Sequence, residues 1–347
     1  MREYNQDVEY YIFCGDKDLN GVSLRSITTG KWVDFNCRTK VWYASKEKIS
    51  DNLTRQVDII KPDILYVVGI FSWHFNVVPI IFCKVPKTIL SARGMLHPGA
   101  LSQKRWKKQI FLKTYRLLGL PKKNFLHATD NEEEKCIRKN FGGSTKVIVA
   151  GNFPNKIGAL PMAAKIPGNL KIISIALISP MKNILKILEA LNDVEANVQF
   201  DIYGPVKDQS YYAQCLEQAK RLPSNISVAM HGEIEPNRVT EILMQAHVFA
   251  LPSKSENFGH AIYEALSAGR PVITSNQTPW NNLQGSRAGM NISLENNEGL
   301  SKAISFFASM NEKLLSQWSR GAIDYAAEAI DVEKIRGQYA EMFSKEL

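Results

Sequence analysis

The chain has 347 residues, which suggests two domains, and 45% of them are apolar and 22% charged, the balance of an ordinary globular protein. The five cysteines are scattered without CxxC spacing, which indicates buried or free thiols in a reducing compartment and excludes a disulfide framework. The six histidines form no HExxH or other paired pattern, so we expect no protein-bound metal.

The net charge of +9 lies in the first half of the chain. Residues 1–155 hold 25 Lys and Arg and 14 Asp and Glu, a net charge of +11, whereas residues 156–347 carry a net charge of −2. The excess is concentrated in residues 103–123, QKRWKKQIFLKTYRLLGLPKK, which contain eight basic residues and no acidic one. Nucleic acid, anionic lipid headgroups or a phosphate-bearing acceptor could bind such a segment.

This basic segment has the period of a helix, with Trp106, Ile110 and Leu117 aligned on one face and Lys113 interrupting that face. A solvated helix face and contact with a membrane surface both fit the pattern, and membrane-surface contact is the partner that we expect. No basic-aromatic nucleic-acid motif occurs, so we expect no nucleic-acid partner.

The polar N-terminus, MREYNQDVEY, has no signal-peptide pattern, so we expect a cytoplasmic protein that can bind peripherally at the inner membrane. One uncharged run, residues 64–83, is 20 residues long and nominally able to cross a bilayer. Gly69, Pro79 and several polar residues interrupt the run. We therefore interpret it as a buried strand, a loop and a buried helix rather than a membrane span.

In the first half of the chain, short apolar runs alternate with helical patterns. A helix is predicted over residues 46–60, with Ser45 as a candidate N-cap, and another over residues 131–140 with acids in its first turn. Such alternation predicts a parallel α/β sheet. The predicted strands cover residues 10–14, 40–44, 64–68, 87–91, 125–128 and 147–150.

Residues 155–169, NKIGALPMAAKIPGN, contain two prolines and two glycines without a clear period, and we interpret them as an interdomain linker. The alternation of strands and helices then resumes, which predicts a second α/β half. The predicted strands there cover residues 171–176, 199–203, 226–230, 248–251 and 272–274, and the predicted helices cover residues 184–191, 211–222, 239–246, 301–310, 312–325 and 331–345.

The most informative stretch lies between the predicted strands 248–251 and 272–274. A polar loop and an amphipathic helix join the two strands, and Gly269 ends the helix. Glu256 lies in the loop and Glu264 inside the helix. A helix N-terminus suits a phosphate, and ligands of parallel sheets bind beyond the carboxyl ends of the strands. Carboxylates on either side of an anion site suit sugar and ribose hydroxyls, so the pattern fits a nucleotide sugar.

Residues 252–273, PSKSENFGHAIYEALSAGRPVI, resemble the donor-site signature of retaining glycosyltransferases of family 4, in which two glutamates stand eight positions apart. The alternative is an ordinary amphipathic helix between strands of another doubly wound protein. The joint occurrence of both glutamates, the Phe-Gly step and the Gly-Arg-Pro-Val exit favours the signature.

The resemblance implies the GT-B fold, an α/β architecture of two Rossmann-like domains that face a cleft. It assigns residues 1–158 to an acceptor-side domain, on which the last helix, residues 331–347, packs back. It assigns residues 168–330 to a domain that binds the nucleotide-sugar donor, UDP- or GDP-linked, as substrate rather than cofactor.

The resemblance also implies roles for individual residues. Glu264 would bind the ribose and Glu256 the hydroxyls of the transferred sugar, and Gly204-Pro205 match a loop near the nucleotide. A histidine such as His260 is more often a packing or capping residue than a base. The implied donor site consists of Lys182, Asn183, Gly204, Pro205, Ser253, Glu256, Asn257, Phe258, Gly259, His260 and Glu264, and the implied catalytic residues are Glu256, Lys182 and Arg93.

The segment around Lys182, IALISPMKNILKILEAL, resembles the part of the family in which an Arg and, five positions later, a Lys contact the donor diphosphate. Lys182 matches the Lys, and it could neutralise the charge that builds on a departing phosphate. The position of the Arg holds Leu177, so one cation is missing unless a basic residue from elsewhere replaces it. A solvated first-turn residue is the alternative interpretation of Lys182.

The loop SARGMLHPGALSQKRWKK resembles an Arg-Gly motif of the polysaccharide-building members of the family. Other members of the family have a catalytically important histidine near this place. Arg93 stands closest to that place, with His97 four positions later. The resemblance implies that Arg93 contacts the acceptor or a phosphate, and the alternative is an arginine that braces the loop.

The chain departs from the family at its start, where members have a first strand and a glycine-rich loop. Only residues 20–23, NGVS, resemble a glycine turn, and they follow a strand that corresponds to the family's second strand rather than its first. We therefore expect an N-terminal domain that lacks its first strand, as a truncated reading frame or a natural short variant. Loss of a central strand would lower stability and activity.

The resemblance implies a retaining, metal-independent hexosyltransferase that transfers a sugar to a hydroxyl of a lipid-linked acceptor in surface-polysaccharide biosynthesis, such as lipopolysaccharide or exopolysaccharide. The alternative is an inactive or truncated homologue that binds only a nucleotide or a partner enzyme. A third possibility, an NAD-dependent enzyme, is disfavoured because no GxGxxG follows a predicted strand.

Overall fold

A computed structural model of the protein describes residues 8–18, 21–24, 26–102, 105–295 and 298–344. The chain divides into two compact units, one formed by residues 1–152 with 332–347 and the other by residues 153–331. Both units have helices and sheets of mainly parallel strands, so the predicted α/β class is confirmed.

The first unit begins with strands and continues as alternating helices and strands. Its strands are β1 (Tyr10–Gly15), β2 (Trp32–Asn36), β3 (Thr39–Ala44), β4 (Ile64–Val68), β5 (Lys87–Ser91), β6 (Phe125–Ala128) and β7 (Val147–Val149). Its helices are α1 (Ile49–Ile60), α2 (Val78–Phe82), α3 (Pro98–Ser102), α4 (Arg105–Leu117), α5 (Leu120–Lys123) and α6 (Asn131–Phe141), together with the final helix Val332–Met342.

The strands of this unit form a three-stranded sheet of order β1-β3-β2 and a four-stranded sheet of order β4-β5-β6-β7. All neighbours are parallel except β2, which pairs with β3 as an antiparallel hairpin. The core beside the larger sheet is apolar, with Leu90, Leu126 and Ile137 fully buried. The final helix packs in this unit, where the ring of Tyr339 contacts that of His127.

Most predicted elements of the first unit are confirmed, but strand β2 was missed. Its five residues are too few to show a period, and three of them are exposed, so the apolar signal is weak. Ser45 stands at the predicted N-cap position, with extended backbone, but it precedes a 3₁₀ turn at Lys46–Lys48 and its side chain makes no capping hydrogen bond. Helix α1 starts after that turn.

The prediction of one basic helix over residues 103–123 is also wrong, because the structure has two helices, α4 and α5, in this part of the chain. Residues 103 and 104 lie outside the described residues. Helix α4 ends before Gly119, which adopts a left-handed φ of 66°. Pro121, near the start of α5, has no N–H to continue a helix from α4. The break therefore has a local cause in the Gly119-Leu120-Pro121 sequence.

The uncharged run of residues 64–83 divides as predicted into strand β4, a loop with a π-helical turn, and helix α2. Within the described ranges, no helix is both long enough and apolar enough to cross a membrane. The expectation that the first unit lacks its first strand stays a prediction. The candidate glycine turn, NGVS, begins at Asn20, which lies outside the described residues.

The second unit is one parallel sheet with helices. Its strands are β8 (Asn169–Ile175), β9 (Asn197–Tyr203), β10 (Ile226–Gly232), β11 (Val248–Leu251), β12 (Val272–Ser275) and β13 (Gly289–Ile292). Its helices are α7 (Ile184–Ala190), α8 (Gln209–Ala219), α9 (Val239–Met244), α10 (His260–Ser267), α11 (Glu298–Ser309) and α12 (Glu312–Ala329). The predicted elements are confirmed, with ends that differ by up to four residues, except that β13 was missed because its four residues, GMNI, alternate little.

The six strands have the order β10-β9-β8-β11-β12-β13, and every neighbouring pair is parallel. The sheet therefore grows to one side from β8 through β9 to β10, and to the other side from β11 to β13. The strand order reverses between β8 and β11, which makes that pair the topological switch point of the sheet. The core includes the fully buried Phe200, Phe249, Tyr263 and Phe307.

Residues 153–166, which we call the strap, are packed onto the second unit rather than extended as a free linker. The guanidinium of the fully buried Arg270 donates hydrogen bonds to the carbonyls of Leu160 and Pro161, at 3.0 and 2.6 Å. Lys165 Nζ donates to the carbonyls of Ala308 and Met310, each at 2.8 Å. Much of the predicted linker is thus part of the second unit's surface.

Candidate functional site

The loops that follow β8 and β11 meet at the topological switch point of the second unit. Strands β8 and β11 pair in parallel through Ile172 with Val248 and Ile173 with Phe249, so their carboxyl ends lie side by side. The two loops are also bonded to each other, because Lys254 N donates to Met181 O at 2.9 Å and Asn183 Nδ2 donates to Pro252 O at 3.2 Å.

Lys182 and Glu256, both predicted from the sequence, form an ion pair at this point. Lys182 Nζ lies 2.6 Å from Glu256 Oε1, and the two side chains are 22% and 9% exposed. The hydroxyl of Ser253 donates to the same carboxylate oxygen at 2.7 Å. A cation and a carboxylate that are partly shielded from water interact more strongly than a surface pair, and they can bind opposite parts of a polar ligand. The structure brings these three predicted residues together.

The neighbouring loop after β9 depends on a glycine. Gly204 has φ +135°, and a Cβ added there would lie 1.9 Å from the carbonyl oxygen of Ala176. The loops after β8 and β9 are further joined by the hydrogen bond from Ile178 N to Pro205 O at 3.0 Å. Gly204 and Pro205 therefore lie at the same end of the sheet as Lys182. The close approach of Ala176 is the structural reason for a glycine at position 204.

Helix α10 starts immediately after Gly259, whose φ of +79° favours glycine. A Cβ on Gly259 would lie 3.2 Å from Trp280 Nε1, and the indole N–H donates to the carbonyl of Phe258. The rings of Phe258 and His260 are 4.7 Å apart. His260 thus contacts an aromatic cluster, which supports a packing role rather than a role as a base. The helix N-terminus supplies partial positive charge to the loop in which Asn257 lies.

Glu264 lies inside α10 and is half-buried. Burial raises the pKa of its carboxyl group, and a hydrogen bond from the side chain of Asn155 lowers it in part. A half-buried carboxylate with one amide donor keeps lone pairs for further hydroxyl donors. Asn155 was missed by sequence reasoning, because it lies in the Pro- and Gly-containing strap and no motif marks it.

Arg93, the predicted catalytic residue of the first unit, is bonded within that unit. Its Nη1 donates to Asn152 Oδ1 at 2.9 Å, and its Nη2 donates to the hydroxyl of Tyr66 at 3.2 Å. The Tyr66 hydroxyl lies 2.7 Å from Nδ1 of the buried His127. These contacts favour the alternative role of a loop-bracing arginine. His97 is exposed, and its Nδ1 accepts from Gly99 N at 3.3 Å.

The network around Arg93 was also missed, although a signal existed. Tyr66 and His127 are polar residues near the carboxyl ends of two strands, β4 and β6, and ligand sites of parallel sheets occur there. Burial lowers the pKa of His127, and its Nε2 lies 2.8 Å from the carbonyl of Ala150. His127 is therefore a neutral, fully bonded ring.

A cavity of about 460 Å³ lies beside the Lys182–Glu256 pair, on the side of α7 and α8. Asn183, Lys186, Glu189, Asp208 and Lys254 contribute its polar lining. Lys182, Glu256 and Glu264 do not line it, so this cavity is distinct from the predicted ribose and sugar contacts. Within the described ranges, no group of three His, Cys, Asp or Glu side chains could hold a metal ion.

Comparison with known proteins fits this geometry. Residues 159–324 match the family model of glycosyl transferases group 1. No curated protein sequence matches the chain. Among solved structures, HepE from Anabaena, in complex with UDP-glucose, has a TM-score of 0.69 at 16% identity, over 96% of this chain and 98% of that chain.

Two further solved structures share the fold. Sucrose-phosphate synthase from Thermosynechococcus elongatus has a TM-score of 0.71 at 15% identity, over 96% of this chain and 88% of that chain. WaaG, a glycosyltransferase involved in lipopolysaccharide biosynthesis, has a TM-score of 0.63 at 14% identity, over 90% of this chain and 88% of that chain. The chain thus has the two-unit, Rossmann-like GT-B fold of these structures, and its residues 159–324 match the family model of glycosyl transferases group 1.

Proposed function

We propose that the protein is a retaining glycosyltransferase that transfers a sugar from a nucleotide sugar to a hydroxyl of a polysaccharide acceptor. The observation that carries this proposal is the Lys182–Glu256 pair at the switch point between β8 and β11. Ligands of open parallel sheets bind at such points. The family match over residues 159–324 covers both loops of the pair.

The charges of the site suit the two halves of such a donor. Lys182 and the N-terminus of α10 are positive and would bind the diphosphate, while Glu256 and Ser253 would accept and donate hydrogen bonds with sugar hydroxyls. Glu264 would accept from the ribose. Lys182 and Glu256 pair with each other, and a donor would offer a phosphate to the cation and a sugar hydroxyl to the carboxylate.

The proposed chemistry is a front-face substitution at the anomeric carbon. The bond from this carbon to the leaving diphosphate breaks, the acceptor hydroxyl adds to the same face, and its proton passes to the departing phosphate. The protein would contribute positioning and the positive charge of Lys182, which stabilises the leaving group as negative charge builds on it. No protein-bound metal takes part in this proposal.

Leu177 stands where the resemblance places a second cation, and it is half-buried. Lys254 is a candidate replacement on the neighbouring loop, which is bonded to the Lys182 loop through the backbone N–H of Lys254 and the carbonyl of Met181. The alternative function, nucleotide binding without transfer, follows if no second cation reaches the diphosphate.

The acceptor side of the proposal includes a membrane surface. Trp106, Ile110 and Leu117 of α4 are 65%, 58% and 88% exposed, while Leu112 and Tyr115 of the same helix are buried. An outward apolar stripe flanked by lysines and arginines suits the interface of an anionic membrane. A lipid-linked acceptor at the inner face of a membrane would be consistent with such a surface.

The first test is thermal unfolding with UDP, GDP and ADP, in the wild type and in Glu264→Ala. A ligand at 100 times its dissociation constant stabilises the folded protein by about 2.7 kcal/mol, which is a shift of several degrees. We expect one nucleotide to raise Tm in the wild type and not in Glu264→Ala. A cooperative melt that no nucleotide shifts would contradict the proposal. Binding without sugar release from any nucleotide sugar would favour the inactive homologue.

A further inference from the structure

The loop of residues 252–259, which joins β11 to α10, is bonded to the neighbouring strand β12 and to the loop that follows it. Strands β11 and β12 pair in parallel, so their carboxyl ends lie side by side. The hydroxyl of Ser275, the last residue of β12, donates to the carbonyl of Ser253 at 2.5 Å. Farther along, the indole N–H of Trp280 donates to the carbonyl of Phe258 at 2.5 Å. The loop is therefore held near its start and at its end.

Trp280 is itself held in place by other elements of the second unit. The residue is only 4% exposed. Its carbonyl accepts from Asn291 Nδ2 of β13 at 2.7 Å, and the carbonyl of the next residue, Asn281, accepts from the hydroxyl of Tyr325 on α12 at 2.8 Å. The indole packs edge-on against the ring of Phe258, with the ring centroids 5.3 Å apart. The indole N–H is thus a fixed donor.

The bond from Trp280 sets the orientation of the peptide between Phe258 and Gly259. This peptide is trans, so its C=O and N–H point in opposite directions. With the carbonyl bonded to the indole, the N–H of Gly259 points away from Trp280. Within the described part of the chain, this N–H has no protein acceptor. A Cβ on Gly259 would lie 3.2 Å from Trp280 Nε1, so the close approach of the indole depends on glycine.

We infer that Trp280 is a positioning residue of the donor site, whose indole holds the Phe258–Gly259 peptide so that its N–H faces a phosphate of the bound nucleotide. The inference rests on the proposed function, since it requires a nucleotide diphosphate beside this loop. The same loop carries Glu256, which pairs with Lys182 at the switch point. A backbone N–H that is already oriented can bind a phosphate oxygen by a charge-assisted hydrogen bond without reorganising the loop.

The alternative is that Trp280 only fills the core. The two roles can be separated, because Trp280→Phe keeps an aromatic ring beside Phe258 and removes the N–H. A loss of packing loosens the whole site and weakens every ligand. Loss of the N–H alone frees one peptide, so it weakens only a ligand that carries a phosphate for that peptide to bind.

The test compares the affinities for UDP and for uridine, which lacks both phosphates, in the wild type, Trp280→Phe and Trp318→Phe. Isothermal titration calorimetry measures UDP binding, and competition against UDP measures uridine binding. We expect Trp280→Phe to bind UDP roughly three- to tenfold more weakly than the wild type, the value of one hydrogen bond, and to bind uridine as the wild type does. If the wild type prefers GDP or ADP, that nucleotide and its nucleoside replace UDP and uridine.

Trp318→Phe is the matched control. Trp318 is also buried, at 8% exposure, and it packs edge-on against Phe306 and Phe307, away from the loop of residues 252–259. This variant should bind both ligands as the wild type does. The inference is wrong if Trp280→Phe keeps the wild-type ratio of the two affinities, or if Trp318→Phe changes that ratio as much as Trp280→Phe does.

A second variant keeps the inference testable if Trp280→Phe does not unfold cooperatively. Asn291→Ala removes the donor to the Trp280 carbonyl and leaves the indole in the chain. It should weaken UDP binding more than uridine binding, and an unchanged ratio would overturn the inference. A wild type that binds none of UDP, GDP and ADP would contradict the proposed function itself, and the inference with it.

Discussion

Lys182 Nζ and Glu256 Oε1 are 2.6 Å apart although the two residues are 74 positions apart in the chain. Their loops leave adjacent strands, β8 and β11, from which the sheet continues in opposite directions. The pair therefore stands where the topology opens a ligand site, and the pairing of the two residues depends on the strand order rather than on local sequence. This relationship yields the first prediction.

Replacement of Lys182 by Met should abolish most sugar transfer. The cation would no longer stabilise the leaving phosphate, and loss of one such group costs about 10²- to 10³-fold in kcat. The Glu256 carboxylate, only 9% exposed, would lose its partner, so the free energy of unfolding should fall by about 2 kcal/mol. Donor hydrolysis or transfer and urea unfolding measure the two effects.

Lys186→Met is the control for this variant, since Lys186 lies on α7 and lines the neighbouring cavity. It should retain turnover and stability. The double variant Lys182→Met, Glu256→Gln should regain much of the lost stability and none of the activity. If Lys182→Met turns over like the wild type, Lys182 has only the structural role of pairing with Glu256.

Replacement of Gly204 by Ala should strongly destabilise the second unit. The new Cβ would lie 1.9 Å from the Ala176 carbonyl oxygen, in backbone of φ +135° that L-residues avoid. Since the obstacle is backbone, two strand ends must move, and we expect a loss of about 3 kcal/mol or more in urea unfolding.

Gly232→Ala provides the comparison for Gly204→Ala. Gly232 ends the adjacent strand β10 with φ +74°, and a Cβ there would have no atom within 4 Å. Gly232→Ala should therefore lose only the free energy needed to hold alanine in left-handed backbone, about 1 kcal/mol of unfolding free energy. If both variants lose the same free energy of unfolding, the backbone around Ala176 can move away from the new Cβ at little cost.

The residues of the candidate site differ in how far the sequence can predict them. Glu256, Glu264 and Lys182 lie in local motifs that a single chain shows. Their pairing depends on the strand order, which has no local signature. Asn155 was missed because the strap is bound chiefly through backbone carbonyls, which every sequence has.

The elements of the fold show the same division. Long apolar runs such as β8 and β11 were predicted because buried parallel strands are almost wholly apolar. Strands β2 and β13 were missed because four or five partly polar residues show no reliable period. The break between α4 and α5 could have been predicted from Gly119 and Pro121, whereas the outward exposure of Trp106 required the packing of α4.

His247 should make stability depend on pH. It is 2% exposed, its Nδ1 accepts from Lys171 N at 3.0 Å, and its Nε2 faces the carbonyl of Ala164 at 3.2 Å. Burial, reinforced by Lys165, Lys171 and Arg270, lowers its pKa to about 4. The unfolded state, with a pKa near 6.5, binds the proton more readily. The neutral His247 ring therefore contributes fully to the free energy of unfolding above about pH 6.5. This contribution, up to about 3 kcal/mol, is lost as the pH falls toward 4.

Urea unfolding of the wild type and His247→Gln at pH 7 and pH 4.5 measures this contribution. The variant should be less stable at pH 7, where it lacks the ring's hydrogen bonds, and the difference should shrink or reverse at pH 4.5. His231→Gln controls for histidine titration elsewhere, since His231 is 39% exposed and paired with Asp201. A difference between wild type and His247→Gln that is constant with pH would show that the buried ring titrates normally.

The outward stripe of α4 should bind anionic bilayers. Trp106 is 65% exposed, and the Nζ of Lys107 lies 5.3 Å from its ring centroid, so an aromatic ring and a cation are presented together. Each basic residue near an anionic surface contributes about 1 kcal/mol, and the apolar stripe adds the burial of Ile110 and Leu117. Sedimentation with vesicles should show binding to phosphatidylglycerol-containing vesicles and little to pure phosphatidylcholine.

The triple variant Trp106→Ser, Ile110→Ser, Leu117→Ser should reduce vesicle binding at least tenfold without changing Tm, because all three side chains are exposed. Leu314→Ser, at an exposed apolar residue of the second unit, is the matched control and should bind vesicles as the wild type does. Binding that survives the triple variant but disappears in high salt would mean that charge alone attracts the bilayer. The stripe would then be a solvated helix face, and a membrane-borne acceptor would lose its structural support.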